Sequence, residues 1–153
     1  MSRGTVTAIF IVGTKGEPLS SVQSARGVSG QGLVGDRYFQ GDLPPEKRDP
    51  EREVTLIEAE AIEALRHEES IELALAESRR NVVTRGVALN HLVGREFRVG
   101  GLTLKGVRLC EPCGHLEKLT RPGVRKALIH RGGLRAAILK DGEIHVGDSV
   151  DVS

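Results

Sequence analysis

Residues 96–109, EFRVGGLTLKGVRL, predict a β-hairpin whose two strands meet at Gly100-Gly101. Glycine accepts the backbone angles of a tight turn, and the flanking segments, 96–99 and 102–109, are rich in the residues typical of strands. The second strand runs directly into the motif Cys110-Glu111-Pro112-Cys113-Gly114-His115. We therefore expect this motif to follow immediately on a strand.

The motif contains both cysteines of the chain, and residues 116–119 after it predict a short helical turn. A thiol at a strand-to-helix junction lies near unpaired backbone N–H groups and the positive end of the helix dipole, which favour the reactive thiolate. Cys113 is better placed than Cys110 because it is nearer the helix start. His115 has two open interpretations: a proton acceptor for the Cys113 thiol, or an ordinary surface histidine.

Length and composition indicate one globular domain spanning 1–153, with 39% hydrophobic and 28% charged residues. The net charge of +1 gives no general reason to expect nucleic acid or an anionic membrane as partner. No apolar run approaches the ~20 residues that cross a bilayer, and the first residues lack a signal-peptide pattern. Two cysteines three positions apart do not form a secreted disulfide framework, so we expect a cytoplasmic protein.

Short strands at close intervals and a few short helices predict a mainly β fold with an α+β character, as a barrel or a strongly twisted sheet. Further strands are predicted at 5–12, 19–25, 53–57, 134–139 and 143–146, and helices at 58–68, 87–93 and 122–129. The strands 134–139 and 143–146 are expected to form a second hairpin that turns at Asp141-Gly142. Val150 and Val152 are expected to close the sheet.

Two irregular segments precede the first predicted helix. The spacing Gly30-x-Gly32-x-x-Gly35 matches a dinucleotide fingerprint, but no βαβ pattern surrounds it, so we predict a glycine-rich turn with a short strand. Residues 40–52 are polar and rich in proline, which predicts a mobile loop. That loop is interpreted as either a lid over a site or a solvated insertion.

Residues 79–85, RRNVVTR, carry three arginines around a β-branched run. As a strand, this segment would place Arg79 and Asn81 on one face and Arg80 on the other. A planar guanidinium and an amide on one face suit a phosphate or a pterin-like group. The alternative is a solvated basic edge strand.

The cysteine motif is compatible with several chemistries. A structural zinc site usually needs four ligands, and this motif supplies one Cys pair without a second pair at a regular spacing. A thioredoxin-like dithiol would open a helix after the first strand of a βαβ unit, whereas this pair lies late in a β-rich chain. Haem attachment would need histidine directly after Cys113, where the chain has Gly114. Two small buried side chains are a further alternative, which fits cysteine in general but fits less well beside proline, glycine and histidine at a junction of elements.

Taken together, several stretches make the chain similar to the MOSC domain, which is related to the C-terminal part of molybdenum cofactor sulfurases. The matching stretches occur in the family's order and cover nearly the whole chain. They are residues 32–37, 54–57, 79–87, 89–90, 93–100, 110–113, 131–133 and 146–148. The arginine–asparagine block and Cys110-Glu111-Pro112-Cys113 are the most specific.

The resemblance implies a barrel-like fold of strongly twisted antiparallel strands with small helices. It also implies a required cysteine, which matches Cys113, as the molybdenum ligand in relatives that hold molybdenum cofactor and as a persulfide carrier in others. The family's pterin- and phosphate-binding arginine and asparagine match Arg79 and Asn81. Arg37 lies in a further matching motif and is a third candidate for cofactor binding. Where many relatives have histidine, this chain has Tyr38.

Three functions follow as hypotheses. In the first, Cys113 ligates molybdenum in a pterin cofactor, and the protein reduces N-hydroxylated compounds with electrons from a partner protein or handles the cofactor. In the second, the protein is a metal-free sulfur carrier with a persulfide on Cys113, loaded by a cysteine desulfurase. In the third, Cys110 and Cys113 belong to a non-catalytic zinc or redox-structural module.

Overall fold

Eleven strands and three α-helices form within residues 2–152, the part of the chain that the computed structural model describes. The strands are β1 (Ser2–Ile11), β2 (Ser20–Val22), β3 (Ser24–Val28), β4 (Gly32–Leu33), β5 (Val54–Glu58), β6 (Val82–Arg85), β7 (Glu96–Val99), β8 (Leu102–Leu109), β9 (Leu134–Lys140), β10 (Gly142–His145) and β11 (Ser149–Val152). The helices are α1 (Ala59–Glu69), α2 (Gly114–Leu119) and α3 (Val124–Ala127). Short 3₁₀ helices occupy Pro45–Lys47, Pro50–Arg52, Leu75–Ser78 and Leu89–Leu92.

Seven strands close into a barrel in the order β1, β11, β7, β8, β9, β5, β6 and back to β1. The prediction of a mainly β, barrel-like fold is confirmed, and β11 closes it as expected. The barrel is mixed because β5 and β6 run parallel, whereas its other pairings are antiparallel. Parallel neighbours need a crossover connection, and α1 provides it along the outside of the barrel.

The hairpin predicted at residues 96–109 is confirmed as β7 and β8, with Val99 opposite Leu102. Gly100 has a φ of 55°, and a Cβ added there would lie 2.2 Å from Oδ2 of Asp148. The turn therefore needs glycine for both its backbone angle and its space.

The second predicted hairpin is wrong. β10 follows β9 in sequence, yet it pairs with β3 in a separate three-stranded sheet with β4. Ile144 lies opposite Ala25, and both are buried in the barrel core. Burial of Ile144 on that sheet, rather than the turn at Asp141-Gly142, therefore decides the pairing of β10.

Two hydrophobic cores hold the fold together. The first fills the barrel with residues such as Leu56, Leu104 and Leu134, none more than 1% exposed. The second lies outside the barrel, where Ile62 and Leu65 of α1 pack with apolar side chains of α2 and α3. The predicted helix at 58–68 is thus confirmed as α1. No helix in the described part of the chain is long and apolar enough to span a membrane.

The polar segment 40–52 is more regular than the sequence predicted. It forms two 3₁₀ helices, and the Gln40 side chain binds the backbone of Asp49 through Oε1 at 2.7 Å and Nε2 at 2.9 Å. The predicted glycine-rich turn with a short strand is found at 30–35, where β4 forms.

One region of the barrel wall brings together the end of β1, the start of β6, the middle of β5, the start of β9 and the end of β8. Leu109, at the end of β8, pairs with Leu134, at the start of β9, and Leu134 pairs in turn with Leu56 of β5. Gly133 precedes β9 with a φ of 111° and packs so tightly that an added Cβ would lie 2.0 Å from the Leu56 oxygen. This region carries every sequence-predicted site residue.

Replacing Gly133 with alanine is expected to lower the free energy of unfolding by more than about 2 kcal/mol, because a side chain there is both strained and in collision with the β5 backbone. Chemical denaturation measures the change. Gly114→Ala is the matched control, since the structure shows no atom within 4 Å of an added Cβ at that position. Equal stabilities of the two variants would contradict the tight packing of β9 on β5.

Candidate functional site

A cleft of about 170 Å³ opens in the region of the barrel wall just described. All four sequence-predicted site residues line it: Cys113, Arg79, Asn81 and Arg37. Arg80 and Arg135 also line it, although neither is a sequence-predicted site residue. The structure thus brings the predicted residues together and adds two cations to them.

Cys113 lies at the mouth of the cleft, immediately before α2, with an extended backbone and an exposed side chain. Cys110 also lines the cleft, but it is only 2% exposed. α2 has only six residues, and four arginines line the same cleft as Cys113. Of the two thiols, Cys113 alone is open to an incoming ligand or protein.

The buried side chain of Arg80 fastens the loop that carries the cysteines. Its Nε donates to the Gly132 oxygen at 2.7 Å, and its Nη2 donates to the Cys110 oxygen at 3.2 Å. The Cys110 N–H donates to the Gly133 oxygen at 2.7 Å. A Cβ at Gly132 would lie 2.4 Å from the Cys110 oxygen, so the two segments touch backbone to backbone.

Arg79 departs from the predicted strand. β6 begins only at Val82, and Arg79 has a left-handed φ of 62°. The predicted alternation of faces is therefore wrong for this segment, which explains why Arg80 also reaches the cleft. Nη1 of Arg79 donates to the Glu17 oxygen at 2.6 Å. Partial burial, and then the positive charge of Arg37, lower the pKa of Arg79 below its ordinary value.

Asn81 is only 7% exposed and joins three parts of the fold. Its Oδ1 accepts hydrogen bonds from the Thr55 N–H at 3.1 Å and the Thr55 hydroxyl at 3.2 Å, and its Nδ2 donates to the Phe10 oxygen at 3.1 Å. These bonds tie the start of β6 to β5 and β1. One hydrogen of the amide is left for a ligand in the cleft.

Asp36, Arg37 and Tyr38 form the opposite wall. Asp36 directs Oδ1 to the Val12 N–H at 3.0 Å, and the Arg37 N–H donates to the Val12 oxygen at 2.6 Å. The Arg37 guanidinium stacks on the Tyr38 ring, 4.2 Å from its centroid, and donates to the Tyr38 hydroxyl. Tyr38 therefore holds the Arg37 side chain against this wall.

The cleft carries an excess of positive charge. Within residues 2–152, no carboxylate forms a salt bridge with Arg37, Arg79, Arg80 or Arg135. Arg135 instead donates to the Glu51 backbone oxygen at 3.1 Å. Unpaired guanidinium groups around a concave surface favour an anion, and a phosphate accepts their forked hydrogen bonds.

The histidines do not assemble a metal site with the cysteines. No group of three or more His, Cys, Asp or Glu side chains in the described residues comes together to hold a metal ion. His115 is exposed and lines the cleft. His130 instead pairs with Glu111, whose Oε2 lies 2.7 Å from its Nδ1. A four-ligand zinc site is therefore not supported by this side-chain arrangement.

The family model for "MOSC domain" matches residues 34–151. Among solved structures, the YUAD protein from Bacillus subtilis is similar, with a TM-score of 0.81, 15% identity and coverage of 99% of this chain and 97% of that one. YiiM from Geobacillus stearothermophilus has a TM-score of 0.70, 14% identity and coverage of 98% and 75%. YiiM from Escherichia coli has a TM-score of 0.67, 17% identity and coverage of 97% and 70%.

At these identities the solved structures establish the fold alone, and no curated protein matches the chain. The family match extends over most of the chain and includes Arg79, Asn81 and Cys113. On that match, the chain belongs to the MOSC domain family.

Proposed function

We propose that this chain binds molybdenum cofactor, with the Cys113 thiolate as the protein ligand to molybdenum. The observation that carries the proposal is the exposed Cys113 thiol at the mouth of a cleft lined by four arginines without carboxylate partners. A thiolate is a soft ligand suited to a sulfur-coordinated metal. Arginine is the side chain best matched to the cofactor's terminal phosphate.

The donor set of the cleft fits this cofactor. Arg79 and Arg37 lie close enough for each charge to affect the other, and an anion between them would relieve that repulsion. The free N–H of Asn81 offers a neutral donor to a pterin edge. When bound, the molybdenum centre would supply two-electron oxygen-atom transfer. We propose the reduction of N-hydroxylated compounds as the reaction class, with cofactor handling as the other use of the same site.

The chain's own residues would orient the Cys113 ligand and supply a proton to the substrate. Arg80 holds the loop that presents Cys113, and Asn81 holds the strands beneath it. Removal of a hydroxyl as water consumes protons, and His115 on the cleft wall is the candidate proton donor. The free thiols suit a reducing compartment, so we place this function in the cytoplasm.

Cys113→Ser is expected to lose bound molybdenum and all but a few per cent of any reductase activity, because a hydroxyl is a poor ligand for a soft metal site. Metal analysis and pterin fluorescence on protein purified anaerobically from a cofactor-producing host measure the loss. Cys110→Ala is the control, since Cys110 is buried, and it should retain molybdenum. Molybdenum and full activity in Cys113→Ser would refute the ligand assignment.

The charge of the cleft can be tested on cofactor-free protein. With Cys110 replaced by alanine, Cys113 should react faster with anionic iodoacetate, relative to neutral iodoacetamide, than a free thiol does. Arg79→Gln should lower that ratio about two- to tenfold at low salt, since one nearby charge is lost. The two alkylation rates of Cys113 are measured by mass spectrometry. Lys140→Gln, at the end of β9 away from the cleft, should leave the ratio unchanged, and an equal drop there would contradict a local effect.

A metal-free sulfur carrier is the second candidate, favoured by the exposure of Cys113, which a sulfur-donor protein can reach. Incubation with a cysteine desulfurase and cysteine should then leave cyanide-reactive sulfur on Cys113 in near-stoichiometric amount. A mass increase of one sulfur atom on the peptide, absent from Cys113→Ala, identifies the position. No transferred sulfur under these conditions would eliminate the carrier function.

A further inference from the structure

We propose that the outer face of α2 and α3 is a docking surface for an acidic electron-transfer protein that serves the Cys113 cleft. This α2–α3 face consists of Lys118, Leu119, Arg125, Lys126 and Ile129. The inference rests on the proposed reductase function, because it names the chemistry of the partner that supplies electrons to that site.

The two helices form one unit with a buried and an open side. Leu116, Val124 and Leu128 are at most 3% exposed and belong to the second hydrophobic core. The Glu117 carboxylate accepts hydrogen bonds from the Gly123 N–H at 3.0 Å and the Arg125 N–H at 3.2 Å, which joins α2 to α3. Since the inner side packs on the barrel, the other side faces solvent as a fixed surface.

The open side combines unpaired cations with apolar side chains. Leu119 is 39% exposed and Ile129 is 51% exposed. Lys118, Arg125 and Lys126 are exposed, and none forms a salt bridge with a carboxylate of the described chain.

Two arginines next to this face, unlike its own cations, form salt bridges. Arg121 pairs with Glu77 at 2.9 Å, and Arg131 pairs with Glu68 at 2.6 Å. These ion pairs neutralise the edges of the face. Lys126 lines a cavity with Glu68 and Glu69 of α1, so the uncompensated charge is concentrated on Lys118 and Arg125.

The face lies beside the mouth of the cleft. His115 lines the cleft, and Lys118 and Leu119 follow it by three and four positions in the same helix. Residues at these spacings share one side of a helix, so the basic face is continuous with the cleft wall. A protein bound there would lie next to Cys113, whose own surroundings are also positive.

The size and chemistry of the face favour an electron carrier over other partners. Three cations around two apolar side chains suit a small, electrostatically guided contact, which is typical of transient redox complexes. A nucleic acid would require a longer basic surface, and the whole chain has a net charge of only +1. Charge complementarity therefore points to an acidic protein surface.

The test compares two variants of the cofactor-loaded protein with the same change in charge. The face variant is Lys118→Glu/Arg125→Glu/Lys126→Glu. The control variant reverses exposed cations on the strands, Arg26→Glu/Lys105→Glu/Lys140→Glu, which do not line the cleft. Activity toward an aromatic amidoxime is measured with reduced plant-type ferredoxin, an acidic carrier, and separately with dithionite-reduced benzyl viologen, a small donor.

The face variant should need at least tenfold more ferredoxin for half-maximal rate, with its viologen-driven rate unchanged, and the control variant should match wild type with both donors. Equal ferredoxin dependence in the two variants overturns the docking proposal. Absence of viologen-driven activity in wild type would instead refute the proposed reductase function. Docking is then decided by ferredoxin affinity at low salt, which should fall at least tenfold in the face variant only; equal affinities would overturn it.

Discussion

The hydrogen bonds from the buried Arg80 guanidinium to the oxygens of Cys110 and Gly132 are the constraint on which the site depends. They join the start of β6, the end of β8 and the turn before β9. A buried cation is tolerated only where its donors are satisfied, and the two carbonyls would be costly to leave without partners. The same contact therefore joins these three segments and fixes the loop that presents Cys113.

The segment Arg79-Arg80-Asn81 divides three tasks among adjacent residues. Most hydrogen bonds of the Arg80 and Asn81 side chains are made with backbone groups. The Arg79 guanidinium donates to the Glu17 oxygen and also lines the cleft. Asn81, a predicted cofactor-binding residue that lines the cleft, also links β5 to β1. The motif is thus structural and functional at once, because the residues that fix the barrel also line its cleft.

The sequence predicts well what local chemistry determines. The turn at Gly100-Gly101 and the apolar stripe of α1 are visible without a structure because spacing and turn residues specify them. The partner of β10 and the left-handed backbone at Arg79 are not, because each depends on packing between segments distant in sequence. Arg135 was missed for the same reason: as the second residue of an ordinary strand, it reaches the cleft only when β9 is placed beside β5.

The arginines of the cleft that lack salt bridges lower the stability of the fold. This loss of stability supports a binding role for them. Burial and the neighbouring Arg37 both disfavour the charged form of Arg79, while elsewhere the chain pairs exposed arginines with glutamates, as in Arg85–Glu63. Asp36 is a buried carboxylate that also lines the cleft, but it accepts from the Val12 and Tyr38 N–H groups. A fold shaped for stability alone would pair these arginines in the same way. Their unpaired state next to an exposed thiol is consistent with an anionic ligand that completes the charge balance when it binds.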